Sequence, residues 1–164
     1  MIFELATEAD AGALTALHSA VAGHLTRQFG HGHWSSSASE AGVLRNMRGS
    51  RVIVARDDEG IAGTARLTKK RPWAIDPKLF TPMTTPLYLV DMAVRPSAQR
   101  TGIGRRVLEE TRAIAKAWPA GALRLDAYDA PAGAGAFYAK CGFREVGRAE
   151  YRKVPLVYYE MLMA

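Results

Sequence analysis

Residues 94–104, Val-Arg-Pro-Ser-Ala-Gln-Arg-Thr-Gly-Ile-Gly, decide the fold of this chain, because they join an apolar run directly to an amphipathic one. The preceding run, 87–94, is apolar apart from Asp91, which predicts a central strand buried on both faces. The following run predicts a helix that Pro119 and Gly121 end. Its apolar residues share one side of that helix: Ile103, Val107, Leu108, Ile114 and Trp118. A buried strand that leads straight into such a helix indicates a mixed α/β fold.

The same turn is a candidate phosphate site. The first N–H groups of a helix lack partners and carry partial positive charge, so anions bind there. Gly102 and Gly104 have no Cβ that would keep a pyrophosphate from the backbone. Polar or cationic side chains stand on either side of them: Gln99, Arg100, Arg105 and Arg106. On these residues alone, a tight turn beside solvated arginines is the favoured interpretation.

Two better-known phosphate motifs do not fit this turn. The sequence has no Gly-Lys-Ser/Thr of the Walker type. Val107 stands where a dinucleotide fingerprint has its third glycine.

The rest of the chain alternates short strand-like and helix-like segments. A capping-box pattern at Thr7–Asp10 predicts the start of a helix that continues to about residue 28. Prolines interrupt residues 69–86, which predicts a long loop without a core of its own, mobile in the absence of ligand. The other predicted elements are strands at 2–5, 52–55, 61–67, 123–128 and 154–163, and helices at 37–48 and 132–140.

Length and composition favour one globular domain over residues 1–164, with 48% hydrophobic and 23% charged residues. No apolar run approaches the roughly 20 residues of a membrane span, and no signal peptide is evident, so we expect a cytoplasmic protein without membrane contact. The lone Cys141 cannot form an internal disulfide or a thiolate cage, and we expect no metal.

A net charge of +6 favours anionic partners. The basic residues are scattered, and their densest cluster, 69–71, is short. Because no recognition-helix pattern or aromatic RNA-binding motif accompanies them, nucleic acid is not the expected partner.

Two segments together resemble the GNAT superfamily of acetyltransferases. Gln99-x-x-Gly102-x-Gly104 matches the family's Q/R-x-x-G-x-G/A signature, and residues 137–143, Phe-Tyr-Ala-Lys-Cys-Gly-Phe, resemble its downstream segment. The order of predicted elements extends the resemblance over nearly the whole chain. It implies an α/β (α+β) GNAT fold: a mixed, mostly antiparallel sheet splayed between strands four and five (87–95 and 122–128), helices on both faces, and CoA in the splay.

The resemblance also implies a role for individual residues. Backbone groups of Met92, Ala93 and Val94 would hold the pantetheine arm and the thioester carbonyl of acetyl-CoA. The turn would hold the pyrophosphate through Gln99, Arg100, Thr101, Gly102, Ile103, Gly104 and Arg105. Tyr138 stands where the family often places the acid that protonates the CoA thiolate, or it is a core residue whose hydroxyl bonds a carbonyl. Pro131 replaces a frequent Asn that contacts pantetheine, a loss for which Asp126 or Asp129 would have to compensate.

The general base is less defined. Asp91 is the first candidate, because a carboxylate in an apolar strand needs a partner or a purpose; a structural ion pair is the alternative. His31 and His33 follow, in a loop where relatives shape the acceptor pocket. Cys141 is interpreted as a core residue rather than a nucleophile.

The expected activity is direct transfer of an acetyl group, within a ternary complex, to an amine of a small molecule or peptide. The alternative is a non-catalytic module that binds acyl-CoA without turning it over. The acceptor cannot be identified from the sequence, and a homodimer is expected by family analogy alone.

Overall fold

A computed structural model describes residues 1–163, and this part of the chain forms seven strands and four α-helices. The strands are β1 (Ile2–Leu5), β2 (Ser50–Asp57), β3 (Gly60–Thr68), β4 (Pro86–Val94), β5 (Ala122–Tyr128), β6 (Arg144–Tyr151) and β7 (Val154–Leu162). The helices are α1 (Ala11–Phe29), α2 (Glu40–Met47), α3 (Ile103–Ala117) and α4 (Gly135–Lys140). None of the helices in residues 1–163 has the length and apolar character needed to cross a membrane.

The strands form one sheet in the order β1-β2-β3-β4-β5-β7-β6. Antiparallel pairing joins β1 to β2, β5 to β7 and β6 to β7. Between β4 and β5 the pairing is parallel and covers three residue pairs, from Pro86 with Ala122 to Tyr88 with Arg124. The predicted fold class, a mixed and mostly antiparallel sheet with helices, is confirmed.

The described chain divides into two compact units. The first unit comprises Met1–Leu67 and Val90–Arg112 and is built on one core. On α1, Leu14, Leu17 and Val21 recur at spacings of three and four, so their side chains lie on one face of the helix. That face packs against buried residues of the strands: Val52, Val54, Ile61 and Ala93. Each fully buried leucine, isoleucine or valine side chain of this core contributes about 1.5–3 kcal/mol when it is removed from water.

The second unit comprises Thr68–Leu89 and the chain from Ala113 onward, and it corrects the prediction for residues 69–86. Ile75 and Phe80 are 0% and 5% exposed and belong to a core with Tyr158. The Phe80 and Tyr158 rings meet edge to face at 6.1 Å, and the Tyr158 hydroxyl donates to the Ala74 carbonyl at 2.6 Å. Prolines prevent regular structure beyond one short 3₁₀ turn, Pro77–Leu79, but they do not prevent burial. The prediction that this loop has no core was wrong.

Strand β6 was missed by the sequence analysis. Its residues are exposed or half-buried, and four of them are charged: Arg144, Glu145, Arg148 and Glu150. It lies at the edge of the sheet and pairs only with β7, with a register shift between Glu145 and Gly147. Polar edge strands lack the alternating apolar pattern that sequence reasoning detects, and their charges discourage pairing with other chains.

Candidate active site

The turn between β4 and α3 has the backbone that the glycine motif predicts. A short 3₁₀ helix, Pro96–Ala98, follows β4, and α3 begins at Ile103. Arg100 and Gly102 adopt left-handed backbones, with φ of 62° and 87°. A Cβ built on Gly102 would meet no atom within 4 Å, so this side of the turn faces open space. The turn therefore offers an approachable backbone where a helix begins.

Side chains hold this turn in place. The Gln99 side-chain amide donates to the Val94 carbonyl at 3.1 Å, and the Thr101 hydroxyl donates to the Ala98 carbonyl. Gln99 thus closes the turn onto the end of β4. The predicted polar contact of this side chain with the cofactor stays a prediction.

The start of α3 is held against the sheet by a close approach at Gly63 of β3. A Cβ at Gly63 would lie 3.1 Å from Ile103 and 3.3 Å from Val107, which is tighter than ordinary packing. Ile103 and Val107 are 8% and 0% exposed. A rigid helix start is what an anion site built from backbone N–H groups needs.

The surroundings of Asp91 differ from the predicted ones, which were those of a strand buried on both faces. Asp91 has a left-handed backbone, φ 53°, inside β4, and its side chain is 43% exposed, so the strand is not buried on both faces at this point. Its carboxylate accepts a hydrogen bond from Arg66 Nε at 2.8 Å. Arg66 also donates to the Asn46 carbonyl and to the Ser50 hydroxyl, at 3.3 and 3.1 Å. The structure therefore has the ion pair that the sequence analysis gave as the alternative to a base.

His18 of α1 is a residue of this unit that the sequence analysis missed. The pKa of His18 is lowered from its ordinary value, chiefly by burial. The negative charge of Asp91 opposes this shift, and the positive charge of Arg66 adds to it. His18 stands four residues after Leu14 and three before Val21, so it lies on the helix face that packs against the strands. The same spacing that identified this face could have drawn attention to this titratable side chain.

Tyr138, in the second unit, is 8% exposed and lies in α4. Three aromatic rings surround its ring, with centroids at 5.5 Å for Phe137, 5.7 Å for Phe143 and 6.4 Å for Tyr159. Burial, together with Asp126 and Cys141, raises the pKa of Tyr138 well above its ordinary value. The phenol is therefore protonated at neutral pH and can act only as a proton donor.

The two carboxylates that could compensate for Pro131 differ in environment. Asp129 pairs with Arg148 at 3.2 Å. Asp126 lies on β5, and burial raises its pKa. Of the two, Asp126 is the carboxylate near Tyr138, since it contributes to the pKa of that phenol. Cys141 is half-buried, so its interpretation as a core residue was only partly right.

The two loop histidines, His31 and His33, are exposed. In their loop, Trp34 Nε1 donates to the Gly30 carbonyl at 2.9 Å, and Thr26 shares a hydrogen bond with Ser35 at 2.7 Å. Within residues 1–163, the structure contains no group of three or more His, Cys, Asp or Glu residues arranged to hold a metal ion.

Comparison with known proteins identifies the family. Residues 48–145 match the model of the acetyltransferase (GNAT) domain. A search of curated proteins gives no significant match. The chain belongs to the GNAT acetyltransferase family and is therefore an acyltransferase.

Solved structures share this fold over the full chain. A ribosomal-protein-alanine N-acetyltransferase from Brucella melitensis is 22% identical with a TM-score of 0.73, covering 99% of this chain and 100% of its own. The yncA protein of Salmonella typhimurium, solved with its cofactor acetyl-CoA, is 16% identical with a TM-score of 0.71, covering 98% and 92%. An aminoglycoside 6'-N-acetyltransferase complexed with coenzyme A is 15% identical with a TM-score of 0.69, covering 99% and 97%.

Proposed function

We propose that this protein transfers the acetyl group of acetyl-CoA to a primary amine of a small molecule or peptide, by direct attack within a ternary complex. The observation that carries the proposal is the turn of residues 99–104, where Gly102 has a left-handed backbone and faces open space at the start of α3. Family membership and the CoA-bound relatives support acetyl-CoA as the donor. Because structural relatives cover 99% of the chain, we propose a single acetyltransferase domain.

The turn would hold the pyrophosphate of the cofactor. The first N–H groups of α3 lack partners within the helix and point away from it, towards the position that an anion would take. A phosphate can approach Gly102 closely, because no side chain stands there. Arg100 and Arg105 would add positive charge from both sides of the glycine.

Two further groups would act on the reacting atoms. Backbone groups of Met92–Val94 would bind the pantetheine arm and polarise the thioester carbonyl, which favours attack by the amine. Tyr138 would give its proton to the sulfur as the C–S bond breaks, since a thiolate is a poorer leaving group than a thiol. Because burial raises the pKa of Tyr138, the phenol carries a proton at neutral pH.

The test of the acid is Tyr138→Phe, which keeps the ring and its packing but removes the hydroxyl. We expect kcat to fall about 100-fold or more, with acetyl-CoA affinity nearly unchanged in calorimetry. Tyr159→Phe is the matched control, because it removes a hydroxyl from a neighbouring ring of the same cluster and should leave kcat within about twofold.

The acceptor probes come from the relatives: a peptide with an N-terminal alanine, an aminoglycoside and a set of simple primary amines. Turnover of one of them supports the proposal. Binding of acetyl-CoA without turnover of any would instead support the non-catalytic acyl-CoA module. Near-normal kcat in Tyr138→Phe, with chemistry shown to be rate-limiting by the absence of a pre-steady-state burst, would refute the role of Tyr138 alone.

A further inference from the structure

Arg95 is the first residue after β4 and begins the segment that leads to α3. Its backbone N–H donates to the Ala62 carbonyl of β3 at 2.8 Å, and its carbonyl accepts from the Ala98 N–H at 2.8 Å. The first bond ties Arg95 to the sheet, and the second closes the short 3₁₀ helix Pro96–Ala98. The path of the chain into the turn of residues 99–104 therefore starts from the backbone of Arg95.

The Arg95 side chain extends to the hairpin that joins β2 to β3. Both terminal nitrogens donate to the Asp57 carboxylate, Nη1 at 3.1 Å, and Nη2 also lies 3.1 Å from Glu59 Oε2. Nε donates to the Ser97 hydroxyl at 3.0 Å. The side chains of Arg95 and Asp57 are 21% and 26% exposed. Because every nitrogen of the guanidinium has a partner, its orientation is fixed.

Asp57 is itself held in the hairpin. Its Oδ1 accepts from the Glu59 N–H at 2.9 Å, in addition to the bond from Arg95. A carboxylate that accepts two parallel N–H bonds from a guanidinium fixes the angle as well as the distance between the two groups. This bidentate pair, the Asp57–Arg95 clamp, therefore joins the β2–β3 hairpin firmly to the end of β4.

The segment that begins at the clamp needs such support. Residues 95–102 connect β4 to α3 and have one short 3₁₀ helix as their regular structure. Arg100, which is not a glycine, has a left-handed backbone, φ 62°. A sparsely populated backbone of this kind persists only where its surroundings hold it. The Gln99 side chain closes the turn locally, and the clamp anchors the start of the segment to a second part of the sheet.

The arginines around the turn fall into two groups. Arg95 shares its charge with two carboxylates, and Arg106 lies over the Phe3 ring, 4.5 Å from its centroid. Arg100 and Arg105 are exposed, and neither takes part in an ion pair among residues 1–163. A phosphate at the turn would therefore meet Arg100 and Arg105, whereas Arg95 is committed to the hairpin.

We propose that Arg95 is a positioning residue of the cofactor site: through its clamp with Asp57 it fixes the start of the turn, so that the first N–H groups of α3 are aimed at the pyrophosphate before acetyl-CoA binds. The inference rests on the proposed function, which places the pyrophosphate at this turn. A site that is already in its binding conformation loses less conformational entropy when the ligand binds, and this strengthens binding. Arg95 needs no contact with the cofactor.

The direction of one effect separates positioning from simple charge. Asp57→Asn removes a negative charge from the protein, so long-range electrostatics alone would strengthen the binding of the anionic acetyl-CoA. An asparagine, however, can accept from only one of the two guanidinium nitrogens, so the clamp is lost and binding should weaken. We expect the Kd for acetyl-CoA in calorimetry to rise about fivefold or more.

Asp58→Asn is the matched control, because it removes the same charge from the next residue of the same hairpin. Asp58 is exposed and takes part in no ion pair within the part of the chain that the structure describes, so this variant should bind acetyl-CoA at least as tightly as wild type.

Arg95→Lys tests the other half of the clamp at constant charge. A lysine ammonium cannot form the two parallel bonds, so this variant should also bind acetyl-CoA more weakly than wild type. The double variant of Asp57→Asn and Arg95→Lys should bind no more weakly than the weaker single variant, because both substitutions break the same clamp.

Two further measurements separate positioning from a purely structural role. A partly exposed ion pair contributes little to global stability, so the Tm of Asp57→Asn should stay within about 4 °C of wild type. In the transfer assay, KM for acetyl-CoA should rise in parallel with Kd, while kcat at saturating acetyl-CoA stays within about twofold.

Each outcome decides the proposal. A Kd in folded Asp57→Asn that equals or falls below the wild-type value overturns it and leaves the proposed function standing. Equal losses of affinity in Asp57→Asn and Asp58→Asn also overturn it, as does a fall in kcat with KM unchanged. If Asp57→Asn does not fold, normal affinity in Arg95→Lys overturns it. A wild-type protein that does not bind acetyl-CoA overturns the proposed function, and this inference with it.

Discussion

Substitutions at Gly102 test two properties of this position that can be measured independently. One is the backbone strain that a side chain would bring, and the other is the proposed contact with the pyrophosphate. With φ at 87°, any side chain at this position costs about 1–2 kcal/mol of folding free energy. Since a Cβ there meets no atom within 4 Å, a clash adds nothing to that cost. For a chain of 164 residues, the loss corresponds to a fall in Tm of about 2–8 °C.

Binding should discriminate between Gly102→Glu and Gly102→Gln. Both variants carry the same strain and nearly the same volume, but only Glu places an anion against the pyrophosphate. We expect acetyl-CoA to bind Gly102→Glu at least tenfold, or about 1.4 kcal/mol, more weakly than Gly102→Gln. The difference should shrink at high salt, because ions screen the repulsion between exposed charges. Calorimetry at two ionic strengths and a thermal melt are sufficient.

Gly49→Glu is the matched control. Gly49 also has a left-handed backbone, φ 67°, and open space around its Cβ position, but it precedes β2 and not α3. It should lose a similar amount of stability and keep the wild-type affinity for acetyl-CoA. Equal affinities of Gly102→Glu and Gly102→Gln, in folded protein, would refute the assignment of the turn to pyrophosphate.

Three other substitutions test the second unit. Lys153 lies in the turn between β6 and β7 with a left-handed backbone, φ 67°, and Lys153→Gly removes this strain. After the entropy cost of glycine is subtracted, the free energy of unfolding from a thermal melt should rise by about 0.5–1 kcal/mol. No gain would contradict the strain argument. Glu160 is 1% exposed and accepts from the Thr81 N–H and hydroxyl at 3.1 and 2.6 Å, so Glu160→Gln should cost about 1.5–3 kcal/mol in urea unfolding. Burial alone would raise the pKa of Glu160, but its hydrogen bonds lower it. The loss of stability in Glu160→Gln should therefore be full above pH 4.5 and fade as the pH falls. A loss that does not depend on pH would count against this account. Burial raises the pKa of Asp126, so the charged carboxylate is unfavourable in the folded protein. Asp126→Asn should therefore stabilise the protein at pH 7 and lose that advantage towards pH 3. Equal effects at the two pH values would be inconsistent with this account.

The sequence predicted most of what depends on neighbouring residues. The turn from β4 to α3 follows from glycines and a helix start that lie within eleven positions of each other, and the structure has the left-handed Gly102 that such a motif implies. The buried face of α1 follows from the period of the helix. Such features need only local propensity and side-chain spacing, so they can be recognised before the fold is known.

Tertiary packing decided the rest. His18 and Asp91 are separated by more than seventy positions, and nothing in either segment indicates that one acts on the other. Ile75 and Phe80 looked like loop residues because prolines surround them, yet they are buried against Tyr158, far along the chain. Burial and charge environment depend on which distant segments meet in space, and a pattern of neighbouring residues does not contain that information. The sequence by itself therefore determined the family and the turn of residues 94–104, whereas the three-dimensional structure decided the surroundings of Asp91.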